Sequence, residues 1–89
     1  MIRIQKTAKT IKANGHAQPL LCNSVSVLFQ HTAFSLVNCV VKGGKEKEGY
    51  YELTAEHTEE NDVLMNALVK TFKLMSEQFP EEISYEGKG

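Results

Sequence analysis

Gly15-His16-Ala17-Gln18-Pro19-Leu20-Leu21-Cys22-Asn23-Ser24-Val25-Ser26 is the stretch where the hydrophobic pattern of the chain changes period. Before it, Ile2 and Ile4 alternate with Arg3 and Gln5, and Thr10-Ile11-Lys12-Ala13-Asn14 repeats the alternation, as two half-buried strands joined by a tight turn do. After it, Leu21, Val25, Leu28, Phe29, Thr32 and Leu36 fall on one arc at about 100° per residue, which predicts a helix over residues 20–37 with this face on a sheet. Pro19 suits the first turn of such a helix, because the N–H it lacks would have had no intrahelical partner. Gly15 then marks the end of the second strand and leaves His16 on a rim. Imidazole and thiol can meet across one tight connection.

A cysteine at a helix N-terminus lies near unpaired backbone N–H groups and the positive end of the helix dipole, which favour thiolate over thiol. The same amides are candidates to hold an oxyanion, and a nearby histidine is a base for a thiol nucleophile. Ser26 lies one turn beyond Cys22 on the same border of the helix, placed to hydrogen-bond near the thiol or a substrate. The plainer reading is that His16 is a polar surface residue and Cys22 is unrelated to it. For a third group that orients His16, the sequence offers only Asn14 and Asn23.

Downstream, Cys39-Val40-Val41 begins a third strand, Gly43 to Gly49 is a charged turn, and Tyr50-Tyr51-Glu52-Leu53-Thr54-Ala55 returns as a fourth. Tyr51, Leu53 and Ala55 share one face, and both tyrosines read as strand packing. His57-Thr58-Glu59-Glu60-Asn61 offers caps and acids for a second helix that carries Leu64, Leu68, Phe72, Met75 and Phe79 inward and stops at Pro80. Ile83-Ser84-Tyr85 is a candidate short edge strand, after which Gly87-Lys88-Gly89 is expected to fray. The order β-β-α-β-β-α, with a short C-terminal strand, predicts an α+β fold in which an antiparallel sheet is packed with two helices. Residues 1–89 are expected to form one domain. Leu20, Val27 and Phe34 form a second apolar line on the far side of the first helix, which a surface helix does not need, and so predict a homodimer.

The 89 residues contain no run of about 18 apolar residues, and Met1-Ile2-Arg3-Ile4 alternates too early for a signal peptide. A cytoplasmic protein with reduced Cys22 and Cys39, and no membrane partner, is the expectation. Residues 1–42 carry five basic residues and no acid, whereas residues 43–89 carry five lysines and eleven acids. The basic half lacks the aromatic interleaving of a nucleic-acid platform, so direct nucleic-acid binding is not expected. No metal site is expected either: Cys22 and His31 are nine residues apart on one helix, which puts them on opposite faces, and no Cys-x-x-Cys or His-x-x-x-His pair exists. His57 reads as solvated and Cys39 as a small buried hydrophobe. No cofactor motif is present.

The blocks Gly15-His16-Ala17 and Leu21-Cys22-Asn23-Ser24-Val25-Ser26, together with the tail Leu64-Met65-Asn66-Ala67-Leu68 through Glu77-Gln78-Phe79-Pro80, resemble the ribosomal-processing cysteine proteases called Prp. The blocks stand in that family's order over nearly the whole chain. The segment between histidine and cysteine is shorter than in the family, and the Asp that precedes the family's cysteine has no counterpart here. The resemblance implies a cysteine endopeptidase that removes the N-terminal extension of a large-subunit ribosomal protein, with Cys22 as nucleophile and His16 as general base and acid. A non-catalytic ribosome-assembly module of the same fold is the alternative, which the short segment favours. The segment from His16 to Cys22, with little to bury, is expected to open for an extended peptide.

Overall fold

The computed structural model describes residues 1–43 and 49–87. Most of the charged turn expected between Gly43 and Gly49, and the terminal Lys88 and Gly89, therefore lie outside the described residues. The elements run β1 (Ile2–Lys6), β2 (Thr10–Gly15), α1 (Pro19–Ser35), β3 (Cys39–Gly43), β4 (Tyr50–Ala55), α2 (Glu59–Gln78) and β5 (Ile83–Gly87). This is the α+β arrangement expected from the sequence.

The strands form one sheet in the order β3-β4-β2-β1-β5. β1 and β2 pair as an antiparallel hairpin with Ile4 opposite Ala13, and the turn is closed by the Thr7 amide on the Thr10 carbonyl at 2.9 Å. β4 pairs antiparallel with both β2 and β3. β5 differs: it joins parallel to β1, with Ile2 opposite Ile83, which makes the sheet mixed. A parallel strand needs a crossover, and α2 provides it between β4 and β5, as α1 does between β2 and β3. β2 and β4 run in opposite directions and their crossovers travel in opposite directions along the sheet. The right-handed rule therefore puts both helices on the same face.

Period-two alternation decides which strand residues meet those helices. Ile2, Ile4, Ile11, Ala13, Leu53, Ala55 and Ile83 are buried beneath them. The opposite face is polar. There Glu52 stands between Lys12 and Lys42, at 3.4 and 4.0 Å, and the Thr10 and Thr54 hydroxyls bond at 2.9 Å, cross-strand pairs of the kind that hold register.

α1 buries Leu21, Val25, Phe29 and Thr32, as its periodicity predicts. Phe29 is the hinge of the core: its ring stacks on Tyr51 at 5.3 Å and meets Phe72 of α2 at 5.5 Å. α2 is capped by the Thr58 hydroxyl, which accepts from the Asn61 amide at 3.1 Å, and its first turn holds Glu59, Glu60 and Asp62 against the helix dipole. Its buried face is Asn61, Met65, Leu68, Val69 and Phe72, rotated from the expected one. Leu64 and Met75 are half-buried at its border, and Phe79 is exposed because the helix ends at Gln78 and Phe79 leaves the helical backbone as its C-cap.

Asn61 explains the rotation. Its side chain is buried and holds two chain reversals at once: Oδ1 accepts from the Val37 amide at 3.0 Å, while Nδ2 donates to the carbonyls of Val37 and Glu56 at 3.0 and 3.1 Å. A buried amide with such partners is stable only in this orientation, and it sets the phase of the helix that carries it.

Candidate active site

The starts of β1, β4 and β5 and the end of β2 gather at one end of the sheet, beside the N-terminus of α1. Gly15 ends β2 with φ of +114°, and a Cβ there would lie 2.1 Å from the Met1 carbonyl oxygen, so only glycine makes this turn. The turn delivers His16 to the rim. Its ring packs on Gly49, where φ is +75° and a Cβ would lie 2.5 Å from Nε2. The two glycines are also bonded to each other, the Gly15 amide donating to the Gly49 carbonyl at 2.9 Å.

Three ties hold the connection from His16 to Cys22. The Met1 nitrogen donates to the His16 carbonyl at 2.7 Å. The Glu82 carboxylate accepts from the Gln18 amide at 3.3 Å and from its Nε2 at 2.9 Å, while the Glu82 carbonyl accepts from the Ile2 amide at 2.8 Å. The third tie is on the thiol itself: the Ala17 amide donates to Cys22 Sγ at 3.2 Å, and Sγ–H faces the Ala17 carbonyl at 3.3 Å.

His16 and Cys22 line one cleft of about 130 Å³, walled by Ile2, Ala13, Val25 and Tyr51. The sequence-predicted pair is thus brought to one cavity. Among the described residues the hydrogen bonds of Sγ go to Ala17, not to the imidazole. Ser26 is half-buried one turn on, its Oγ 2.6 Å from the Tyr51 hydroxyl and accepting from Gln30 Nε2 at 3.1 Å. Asn14 and Asn23 are both exposed.

One sequence expectation needs correction. The first-turn amides of α1 are only in part available to an oxyanion: Pro19 has no N–H, and the amides of Leu21 and Cys22 both donate to the Gln18 carbonyl, at 3.0 and 3.1 Å, which leaves that of Leu20. Two site residues were not foreseen. Tyr51 looked like strand packing, and its ring does pack on Phe29, but the residue also lines the cleft. Gly49 looked like an ordinary turn residue; its positive φ and the histidine it supports appear only in three dimensions.

Other candidates lie elsewhere. His57 pairs with Asp62 at 2.8 Å on an exposed surface, His31 is exposed on α1, and Cys39 is half-buried with Sγ 3.5 Å from the Ala33 carbonyl. Among the described residues no helix is long and apolar enough to cross a membrane.

Comparison with known proteins gives the site its context. The family described as Cysteine protease Prp matches residues 1–84. No curated protein matches the chain in sequence. Among solved structures, the essential ribosomal processing protease Prp from S. aureus in complex with a covalently linked product peptide superposes with a TM-score of 0.77 at 13% identity, over 98% of this chain and 97% of that one. The same S. aureus protease with a substrate peptide gives 0.75 at 9% identity, with the same coverage. SMU.848 from Streptococcus mutans gives 0.72 at 20% identity, over 97% of this chain and 92% of that one. At these identities the structures speak for the fold, and the match over residues 1–84 speaks for the family. The chain belongs to the Prp family of cysteine proteases.

Proposed function

We propose that residues 1–89 act as one Prp-like domain that removes the N-terminal extension of a large-subunit ribosomal protein, with Cys22 as nucleophile and His16 as general base and acid. The observation that carries this reading is the shared cleft: the only thiol and the only imidazole at this end of the described sheet line the same cavity, inside a family of cysteine proteases. The S. aureus relatives were solved with substrate and product peptides, which supports a peptide as the molecule that enters here.

In the proposed reaction His16 takes the proton of Cys22, and the thiolate attacks the scissile carbonyl carbon. The new C–S bond pushes an electron pair onto oxygen. When the tetrahedral adduct collapses, the C–N bond breaks, the imidazolium gives its proton to the leaving amine, and a thioester remains on Cys22. Water activated by His16 then hydrolyses the thioester. Ala17 brackets Sγ in the free protein, so the peptide must displace it before the carbonyl reaches sulfur. A ribosomal-protein substrate puts the reaction in the cytoplasm.

The proposed working form is a homodimer built on α1. Leu20, Val27 and Phe34 are 70%, 53% and 89% exposed, along the side of the helix that faces away from the sheet. A domain of this size gains from covering such a stripe with a second copy. The peptidase reading is tested by incubating the protein with the unprocessed ribosomal protein of the same cell and weighing the product. Loss of an N-terminal fragment supports it. Binding without loss of mass identifies a non-catalytic assembly module instead.

A further inference from the structure

A thiol protease needs donors for the oxygen that becomes negative when the carbonyl is attacked, and removing one such donor costs a large share of the rate. The usual source, the first turn of the cysteine helix, is largely engaged here: Pro19 has no N–H, and the Leu21 and Cys22 amides are both bonded to the Gln18 carbonyl. Tyr51, one of the residues that line the cleft, carries a different O–H.

The direction of its proton depends on its partners. Gln30 Nε2 donates to Ser26 Oγ at 3.1 Å, so Ser26 accepts on that side. That leaves Ser26 one lone pair and its own proton. Ser24 and Ser35 turn theirs back to the carbonyl four residues earlier, at 2.9 and 3.5 Å, but Ser26 makes no such bond to the Cys22 carbonyl. Its remaining partner is the Tyr51 oxygen, 2.6 Å away. Either hydroxyl can donate in this bond; in the arrangement in which Ser26 donates, the phenol's own proton is left to point elsewhere. The ring is fixed by stacking on Phe29 at 5.3 Å. Side chains four residues apart on a helix are roughly 5–6 Å apart at Cβ, so the oxygen held by Ser26 stands one turn from the nucleophile.

Resting on the peptidase reading above, we propose that the Tyr51 hydroxyl is an oxyanion donor of this site, with Gln30 and Ser26 as the residues that aim it. As the bond from Cys22 Sγ to the carbonyl carbon forms, the displaced electron pair settles on the carbonyl oxygen, which accepts the Tyr51 O–H. The phenol keeps its proton. When the C–N bond breaks, the C=O bond reforms and the hydrogen bond weakens.

The test uses the full chain and the unprocessed ribosomal protein. Tyr51→Phe keeps the ring on Phe29 and deletes only the hydroxyl. It is expected to lower kcat about a hundredfold, to leave KM within about threefold, and to leave alkylation of Cys22 by iodoacetamide at the parent rate, because alkylation develops no oxyanion. Ser26→Ala retains the phenol but frees it to turn, and is expected to lower kcat by about tenfold with the same unchanged alkylation. A Tyr51→Phe protein whose kcat stays within about threefold of the parent, or whose loss is matched by slower alkylation, overturns the proposal. Equal cutting by parent and Tyr51→Phe overturns this proposal alone. A parent protein that leaves the precursor intact overturns the peptidase reading and this one with it.

Discussion

The Ala17 peptide brackets the Cys22 thiol, its N–H donating to Sγ at 3.2 Å and its carbonyl facing Sγ–H at 3.3 Å. Its position depends on Gln18, and Gln18 is held by Glu82. Glu82→Ala should therefore loosen the segment between His16 and Cys22. Amide exchange at Ala17 and Gln18 should accelerate, and iodoacetamide should label Cys22 severalfold faster while Cys39 labels at the parent rate. Equal acceleration of both thiols would show global loosening instead.

Asn61 should be among the most sensitive polar positions. Asn61→Ala leaves the Val37 amide and the carbonyls of Val37 and Glu56 without their buried partner, at a cost of about 2–4 kcal/mol. The exposed Asn66→Ala should change stability by less than about 0.5 kcal/mol. Urea unfolding measures both. A lower midpoint at unchanged slope is the expected signature for Asn61→Ala.

Two groups give the stability a pH dependence. Burial pushes the Tyr85 phenol above its ordinary value, so the stabilising contribution of its neutral form is complete below about pH 10 and is lost as pH rises through the raised value. Its hydroxyl also has no hydrogen-bond partner among the described residues. Tyr85→Phe should thus stabilise the protein by about 1 kcal/mol at neutral pH and flatten its alkaline loss. The Lys9 ammonium, 2.7 Å away, holds the Glu56 carboxyl below the usual range. Its contribution is present above the ordinary carboxylate value and lost as pH falls through the depressed one, and Glu56→Gln should remove that acid limb. Thermal unfolding across pH 2–12 checks both slopes.

Phe34→Glu should leave the fold intact, because Phe34 is 89% exposed, and should halve the mass seen by sedimentation at micromolar concentration. A parent protein that already sediments as a monomer would remove the basis for the dimer.

What could be read in the sequence was what periodicity encodes. Ile2 and Ile4, Ile11 and Ala13, and Leu21, Val25 and Phe29 each declare a buried face through local spacing, and all are buried. Gly15, His16 and Cys22 declared a turn between strand and helix, and the structure brings them to one cleft. The contacts that finish the site join residues far apart in the chain. Gln18 and Glu82 are 64 positions apart, and Ser26 and Tyr51 are 25. No local pattern marks such pairs. The face of α2 was misread in part for a related reason: Asn61 looked like a polar cap residue, whereas its partners at Val37 and Glu56 draw it into the core and bring Val69 inward with it. The parallel register of β5 was likewise invisible, since alternation fixes which face a residue takes but not the direction of its neighbour.

The most direct measurement is the intact mass of the protein, quenched in acid during cleavage of the unprocessed ribosomal protein. A transient mass gain is expected on the parent, equal to the released N-terminal fragment less one water, as its thioester, located on Cys22 by peptide mapping. Cys22→Ala should show neither adduct nor cleavage, and His16→Ala should fail to cleave while remaining folded. Cys39→Ala should cleave normally, with a packing loss of about 1 kcal/mol. Cleavage by Cys22→Ala at the parent rate, or an adduct mapped to any other residue, would contradict the account.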